Sequence, residues 1–225
     1  MCFFWRVKPL ASLALASTLL CVRPPAGRAG AAVEGTVALP REAIVPVSAP
    51  RYPITASYTI GPPDPPAAVV YLDGVFPAPP PGKVQVAQQH YQFAPGLLPV
   101  RRGTVVAFPN LDDEYHSVFS YSKAKRFDLG RYHSDETPAE IVFDQPGVVK
   151  LYCEIHDHMR GTILVLDTPY FAKTDPGGHY RLEQLPAGRH VLRAWLDEET
   201  VLERPVELRD GLTLRVDFPE GGGVP

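Results

Sequence analysis

A single ten-residue stretch, Tyr152-Cys153-Glu154-Ile155-His156-Asp157-His158-Met159-Arg160-Gly161, gathers a thiol, two imidazoles and a thioether. Their spacing, Cys-x-x-His-x-x-Met, can wrap one soft metal ion. A thiolate and a thioether suit Cu(I), imidazoles suit both oxidation states, and a trigonal His₂Cys set with a weak axial Met is the blue-copper arrangement. Cys153, His156 and Met159 supply three of those groups from one loop. The remaining imidazole must come from elsewhere, and His116 is well placed. It ends the polar run Asn110-Leu111-Asp112-Asp113-Glu114-Tyr115 and immediately precedes the strand-like Ser117–Ser120. The expectation is one copper ion held by His116, Cys153, His156 and Met159.

Cysteine usage sharpens this expectation. Arg6 and Lys8 lead into the apolar run Pro9 to Val22, and the small residues Ala29-Gly30-Ala31 follow. A charged start, a short apolar core and a small-residue cleavage site read as a secretory signal over residues 1–31. The apolar run is too short for a bilayer span, which needs about 20 residues. No later stretch is long enough either, so the mature chain is expected to carry no transmembrane segment, and the expected location is the periplasm. Cys21 leaves open a lipid anchor, although Leu20 is bulky for such a site. Cys2 and Cys21 depart with the signal, which leaves Cys153 as the mature chain's lone cysteine and Met159 as its lone methionine. A solitary thiol in an oxidising compartment invites oxidation unless something occupies it.

Removing the signal takes four of the 22 cations and none of the 25 acids, and leaves a formal charge of −7. That balance, without a basic run, argues against nucleic acid as a partner and would steer the chain towards basic partners.

The elements that must position these residues are strands. Twenty-six prolines and eighteen glycines separate short apolar runs, as in an all-β protein. Strand-like runs cover Glu34–Leu39, Ile54–Ile60 and Ala67–Leu72. After the proline-rich linker 76–83 come Val84–Phe93, Val100–Phe108 around the turn Arg102-Gly103, Ser117–Ser120, Ile141–Phe143, Val148–Tyr152 and Thr162–Leu166. A third set covers Tyr180–Leu185, His190–Trp195, Val201–Leu208 and Leu212–Phe218. Turn signals at 175–178, 186–188 and 210–211 divide it. Thr137–Glu140 or Ser122–Arg126 is expected to form a short helical turn. Two β-sandwiches are the economical reading.

The segment Cys153 to Gly161 resembles the C-terminal ligand loop of the cupredoxins, the plastocyanin- and amicyanin-like proteins. It is closest to the short loop of amicyanin, where Arg-Gly also follows the methionine. Upstream, Gly103-Thr104-Val105-Val106-Ala107-Phe108-Pro109-Asn110 followed by His116 resembles the cupredoxin strand that ends in asparagine before the first histidine ligand. The resemblance spans residues 84–167. It implies a Greek-key sandwich with one type 1 copper at one end, cycling between Cu(II) and Cu(I) to carry single electrons. Position 117 is Ser, where many cupredoxins have an asparagine tying the two ligand loops together. Ile155 stands where proline is frequent, and its N–H is free to donate to the Cys153 sulfur.

The flanking segments, 32–75 and 168–219, resemble the carboxypeptidase-regulatory-like β-sandwich. The similarity lies in Gly35-Thr36-Val37, in Ala68–Leu72, in Thr174-Asp175-Pro176-Gly177-Gly178 and in Leu185-Pro186-Ala187-Gly188. Their order suggests a cupredoxin inserted in a smaller, discontinuous sandwich, with two consecutive domains as the simpler alternative and residues 220–225 as a tail. A similar arrangement occurs in bacterial periplasmic proteins of the methylamine-utilisation type, which does not identify the donor or acceptor; the expected partner is a redox protein such as a cytochrome or a periplasmic oxidoreductase.

Other readings use the same residues. Copper could be cargo, as in a chaperone, or the sandwiches could be an interaction module. Cys153 with a histidine could be a nucleophile, but a cysteine enzyme has no use for the His-Met spacing. Oxidases and reductases with several coppers need more His-x-His pairs than His156-x-His158, and zinc rarely takes methionine. The protein is therefore read as no enzyme. His158 is read as exposed, because its neighbours complete the ligand set. His90, His133, His179 and His190 carry no ligand spacing. Asp112, Asp113 and Glu114 are read as a solvated loop, with docking of a basic partner as the sharper alternative.

Overall fold

The computed structural model describes residues 30–40 and 64–219. The expected strand 54–60, the tail 220–225, and Cys2 and Cys21 lie outside the described residues. Of the expected signal segment only Gly30 and Ala31 are described, and Ala31 opens the first strand, buried and paired with Leu185.

Among the described residues the chain is all strand and turn. β1 (Ala31–Thr36) and β2 (Val69–Leu72) come first. β3 (Lys83–Gln85), β4 (Ala87–Gln89), β5 (Gln92–Ala94), β6 (Leu97–Arg101) and β7 (Thr104–Phe108) follow. Next are β8 (His116–Tyr121), β9 (Arg126–Tyr132), β10 (Ala139–Phe143), β11 (Gly147–Tyr152) and β12 (Arg160–Leu166). The chain closes with β13 (Phe171–Lys173), β14 (His179–Leu185), β15 (Gly188–Trp195), β16 (Val201–Leu208) and β17 (Thr213–Arg215).

Strands β3 to β12 form one unit. A sheet of order β10-β7-β3 faces a sheet of order β6-β12-β11-β8-β9, and a short β4–β5 hairpin lies alongside. The chain crosses between the two sheets at β6–β7, β7–β8, β9–β10 and β10–β11, a Greek-key path. Between them Phe108, Phe143, Val106, Val118, Val149, Leu151 and Ile163 are sealed from water. Each large side chain of this kind stabilises the fold by about 1.5–3 kcal/mol. Gly161 lets β12 approach β5 closely, since a Cβ there would lie 3.2 Å from the Cβ of Phe93.

The second unit is assembled from both ends of the chain. β1 pairs antiparallel with β14 and parallel with β17, and β2 lies between β13 and β15. Its core holds Val33, Val70, Leu72, Leu185, Leu192 and Phe218. Val216 passes so close to Gly35 that its carbonyl oxygen occupies the space a Cβ would fill, 1.8 Å from that position. Any larger residue at 35 would push β17 away. β2 and β13 are neighbours with Tyr71 opposite Phe171, although the whole β3–β12 unit intervenes in sequence. A third apolar cluster, Val69, Leu164, Leu166 and Trp195, joins the two units, with Lys150 and Glu198 paired at 3.5 Å beside it.

Neither expected helical turn is present. Ala139 and Glu140 belong to β10, opposite Phe108 and Ala107. The hydroxyl of Ser122 accepts from the N–H of Lys150 at 2.9 Å, which holds 122–125 as a bend leading into β9. No helix among the described residues is long and apolar enough to cross a membrane.

Candidate metal centre

β8 and β11 are antiparallel neighbours, with Tyr152 opposite Phe119. The start of β8 and the end of β11 therefore lie at the same end of the sandwich. His116 is the first residue of β8, and Cys153 is the first residue after β11. The topology alone brings two distant segments to one place.

Their side chains converge there. The ligating atoms of His116, Cys153 and His156 all lie within 4.8 Å of one another. His116 Nδ1 is 3.1 Å from His156 Nδ1, and His156 Nδ1 is 3.8 Å from Cys153 Sγ. A first-row metal bound about 2.0–2.1 Å from nitrogen and about 2.3 Å from sulfur spans such chords at angles of roughly 100° and 120°. The donor set and its spacing thus fit one metal ion. His116 is fully buried and Cys153 nearly so, while His156 is half-buried. Met159 is 1 % exposed, in the same core cluster as Cys153, and its N–H donates to the His156 carbonyl at 2.9 Å.

The thiol is prepared for ionisation. Burial pushes its pKa up, but the neighbouring His116 imidazole and the backbone N–H groups of Ser117, His156 and Ile155 outweigh burial and lower it to about 7. The Ser117 N–H donates to Sγ at 3.4 Å. Burial likewise holds His156 below the ordinary imidazole range, against the opposing charges of Glu114 and Asp112, so the ring is kept in its neutral, ligating form.

Ser117 joins the two ligand loops. Its hydroxyl accepts from the Glu154 N–H at 2.7 Å and lies 3.8 Å from Sγ. The shorter side chain thereby makes the link that asparagine makes in many cupredoxins. The first loop is folded around Asn110, whose Nδ2 donates to the carbonyls of Glu114 and Tyr132 at 2.7 and 3.1 Å. Its Oδ1 accepts from the Asp112 N–H at 3.0 Å.

The acidic run corrects one sequence expectation. Asp113 and Glu114 are exposed, but the Asp112 side chain is only 10 % exposed and its Oδ2 lies 2.9 Å from His116 Nε2. The N–H groups of His90 and Tyr91 also donate to this carboxylate, at 2.7 and 2.9 Å. Burial acts to raise its pKa, and these bonds together with His116 override burial and hold it below the usual carboxylate range. A hydrophilic run of three acids gives no hint of this. The four-residue offset from His116 is the signal that could have found it.

Tyr91 also escapes sequence reasoning. It stands edge-on to both imidazoles, with ring centroids 5.6 Å from His116 and 5.2 Å from His156. His158 is exposed, and its Nε2 lies 3.0 Å from the Tyr91 carbonyl oxygen, a donor's position away from the ligand cluster. Beside Cys153 opens a groove of about 570 Å³ lined by Phe119, Tyr121, Lys150, Tyr152 and Arg160.

No protein-family model matches the chain, and no curated protein matches it. Solved structures similar to part of it include a copper-containing nitrite reductase from Thermus scotoductus, 27 % identical over 38 % of this chain and 22 % of that one, with a TM-score of 0.36. A purple cupredoxin from Nitrosopumilus maritimus is 24 % identical over 36 % of this chain and 98 % of that one, with a TM-score of 0.33. Amicyanin from Paracoccus versutus is 21 % identical over 36 % of this chain and 79 % of that one, also at 0.33. The chain spans about a fifth of the length of the nitrite reductase, at 22 %. The functional reading below rests on the side-chain geometry, not on these likenesses.

Proposed function

We propose that the protein binds one copper ion through His116, Cys153, His156 and Met159 and carries single electrons between redox proteins. The observation that carries this reading is the convergence of a thiol and two imidazole nitrogens within 4.8 Å, drawn from the start of β8 and the loop after β11. Copper bound there would supply a one-electron Cu(II)/Cu(I) couple.

The chain's own residues make that couple workable. Donors around Cys153 favour its thiolate near neutral pH. Ser117 ties the two ligand loops so that the donor atoms hold their positions in either oxidation state. Tyr91 and the β4–β5 hairpin cover the imidazoles and limit the entry of water.

Export by a signal segment, a periplasmic location and partners such as cytochromes or periplasmic oxidoreductases belong to the same proposal. So does a carboxypeptidase-regulatory-like character of the flanking sandwich, which would serve as a platform.

The test is the optical and EPR spectrum of the full-length protein loaded with Cu(II). An intense blue colour with a narrow copper hyperfine splitting is expected, and Cys153→Ser should abolish both. A colourless protein that binds Cu(I) tightly would turn the reading into a copper chaperone.

A further inference from the structure

We propose that Asp112 is a positioning residue of the metal centre, committing His116 to the tautomer with a bare Nδ1 and seating the His90–Tyr91 turn over both imidazoles. The inference rests on the copper reading above and concerns a group outside the ligand set.

The carboxylate meets three nitrogens. Oδ1 accepts from the His90 N–H at 2.7 Å, and Oδ2 accepts from the Tyr91 N–H at 2.9 Å while facing His116 Nε2 at 2.9 Å. An ionised carboxylate only accepts hydrogen bonds, so Nε2 must carry the proton. A neutral imidazole protonated on Nε2 keeps its lone pair on Nδ1, the atom that points at His156 Nδ1 from 3.1 Å. The opposite tautomer would set two lone pairs against each other at Asp112 and aim an N–H at the metal position. His116 is fully buried, so solvent offers its Nε2 no substitute acceptor.

The same carboxylate shapes the cover of the site. His90 and Tyr91 both adopt positive φ, 53° and 58°. Non-glycine residues rarely take that conformation. Here the two successive N–H groups converge on one anion, as in a backbone nest. The turn so formed holds Tyr91 edge-on to His116 and His156. One side chain thereby sets a ligand's proton and the aromatic cover above it.

An amide cannot replace it. Asparagine carries one acceptor oxygen, and its NH₂ would be driven against an N–H of His90, Tyr91 or His116. A negative charge behind Nε2 also strengthens donation from Nδ1, which favours the more oxidised metal.

The test compares full-length wild type with Asp112→Asn. In the metal-free wild type, long-range ¹H–¹⁵N correlation should find His116 wholly in the Nε2–H form; an Nδ1–H form overturns the proposal without recourse to any variant. Asp112→Asn should mix the tautomers, weaken Cu(II) binding by about 10–100-fold and raise the reduction potential by about 59 mV for each tenfold loss confined to Cu(II). A folded, blue Asp112→Asn protein with wild-type affinity and potential also overturns it. Asp113→Asn removes the same charge one residue along, from a side chain fully exposed to solvent. It should leave all three readouts unchanged, and an equal shift in that variant would reduce Asp112 to a diffuse field effect. If the wild type itself never turns blue, the copper reading fails while the tautomer measurement still decides Asp112.

Discussion

The two units are made of the same material, short strands and turns, but they bury different chemistry. The unit of β3–β12 encloses Gln88, Thr104, Asn110, His116, Ser117 and Ser120 beside its apolar core. In the unit built from the chain's two ends the buried polar side chains are Thr168, whose hydroxyl accepts from the Tyr170 N–H at 3.1 Å, and Thr174, whose hydroxyl accepts from the Ala68 N–H at 2.9 Å. Its charges stay outside, as in Arg193 with Glu203 and Asp73, or Arg215 with Asp217. Surface pairs of that kind contribute about 0–1 kcal/mol each. Burying a polar group is costly unless it is bonded, and in the β3–β12 unit Asn110, His116 and Ser117 are bonded within the two converging loops. The cluster of His116, Cys153 and His156 sits in that unit.

The difference can be pressed hardest in the flanking unit. Phe218 is 1 % exposed and fills the core between β1 and its neighbours. Phe218→Ala should lower stability by about 3–5 kcal/mol, read in denaturant melts, while the copper spectrum of the folded fraction stays as it was. A changed spectrum would mean that the units are not separable in function.

A smaller effect is expected in the β3–β12 unit. Ser117→Ala leaves the Glu154 N–H without its 2.7 Å partner, a loss of about 1–3 kcal/mol. The pH dependence of the metal-free protein gives a second readout. The Cys153 pKa is depressed from an ordinary 9.0 to about 7. The thiolate's contribution is therefore complete above pH 9 and is lost as pH falls through about 7. Unfolding free energy should decline over that window in the wild type. Ser117→Ala keeps the backbone N–H that donates to Sγ at 3.4 Å, so the same decline is expected there, and a shallower one would add the hydroxyl, 3.8 Å from Sγ, to the groups that ready the thiol.

The smallest effect belongs to His158. It bonds the Tyr91 carbonyl, so His158→Ala should cost about 0.5–1.5 kcal/mol and keep the blue colour. Loss of the colour would make His158 a ligand.

Much of this was legible in the sequence, for reasons that can be traced. Cys153, His156 and Met159 share one loop, so their spacing is nearly their geometry. His116 could be joined to them because a strand begins directly after it. The β14 and β15 strands follow from apolar alternation bounded by glycine and proline. β9 was missed because Arg126-Phe127-Asp128-Leu129-Gly130-Arg131-Tyr132 lies at a sheet edge and keeps charges on its open face. Three-residue β13 is too short to show a period. The helical turns expected near 122 and 137 failed because local preference yielded to pairing with distant strands. Tyr91 and the role of Asp112 depend on a positive-φ turn formed without glycine, and no residue type announces one.

The pairing of Tyr71 with Phe171 has a consequence for how such a molecule can be altered. To the flanking sheet, the entire β3–β12 unit stands where a hairpin's few turn residues would. Loop-closure entropy grows only with the logarithm of length, so exchanging that unit for a tetrapeptide changes the closure term by only about 3 kcal/mol. The β3–β12 unit is thus a cassette in a socket, open to excision or to replacement by any fold whose two ends emerge side by side.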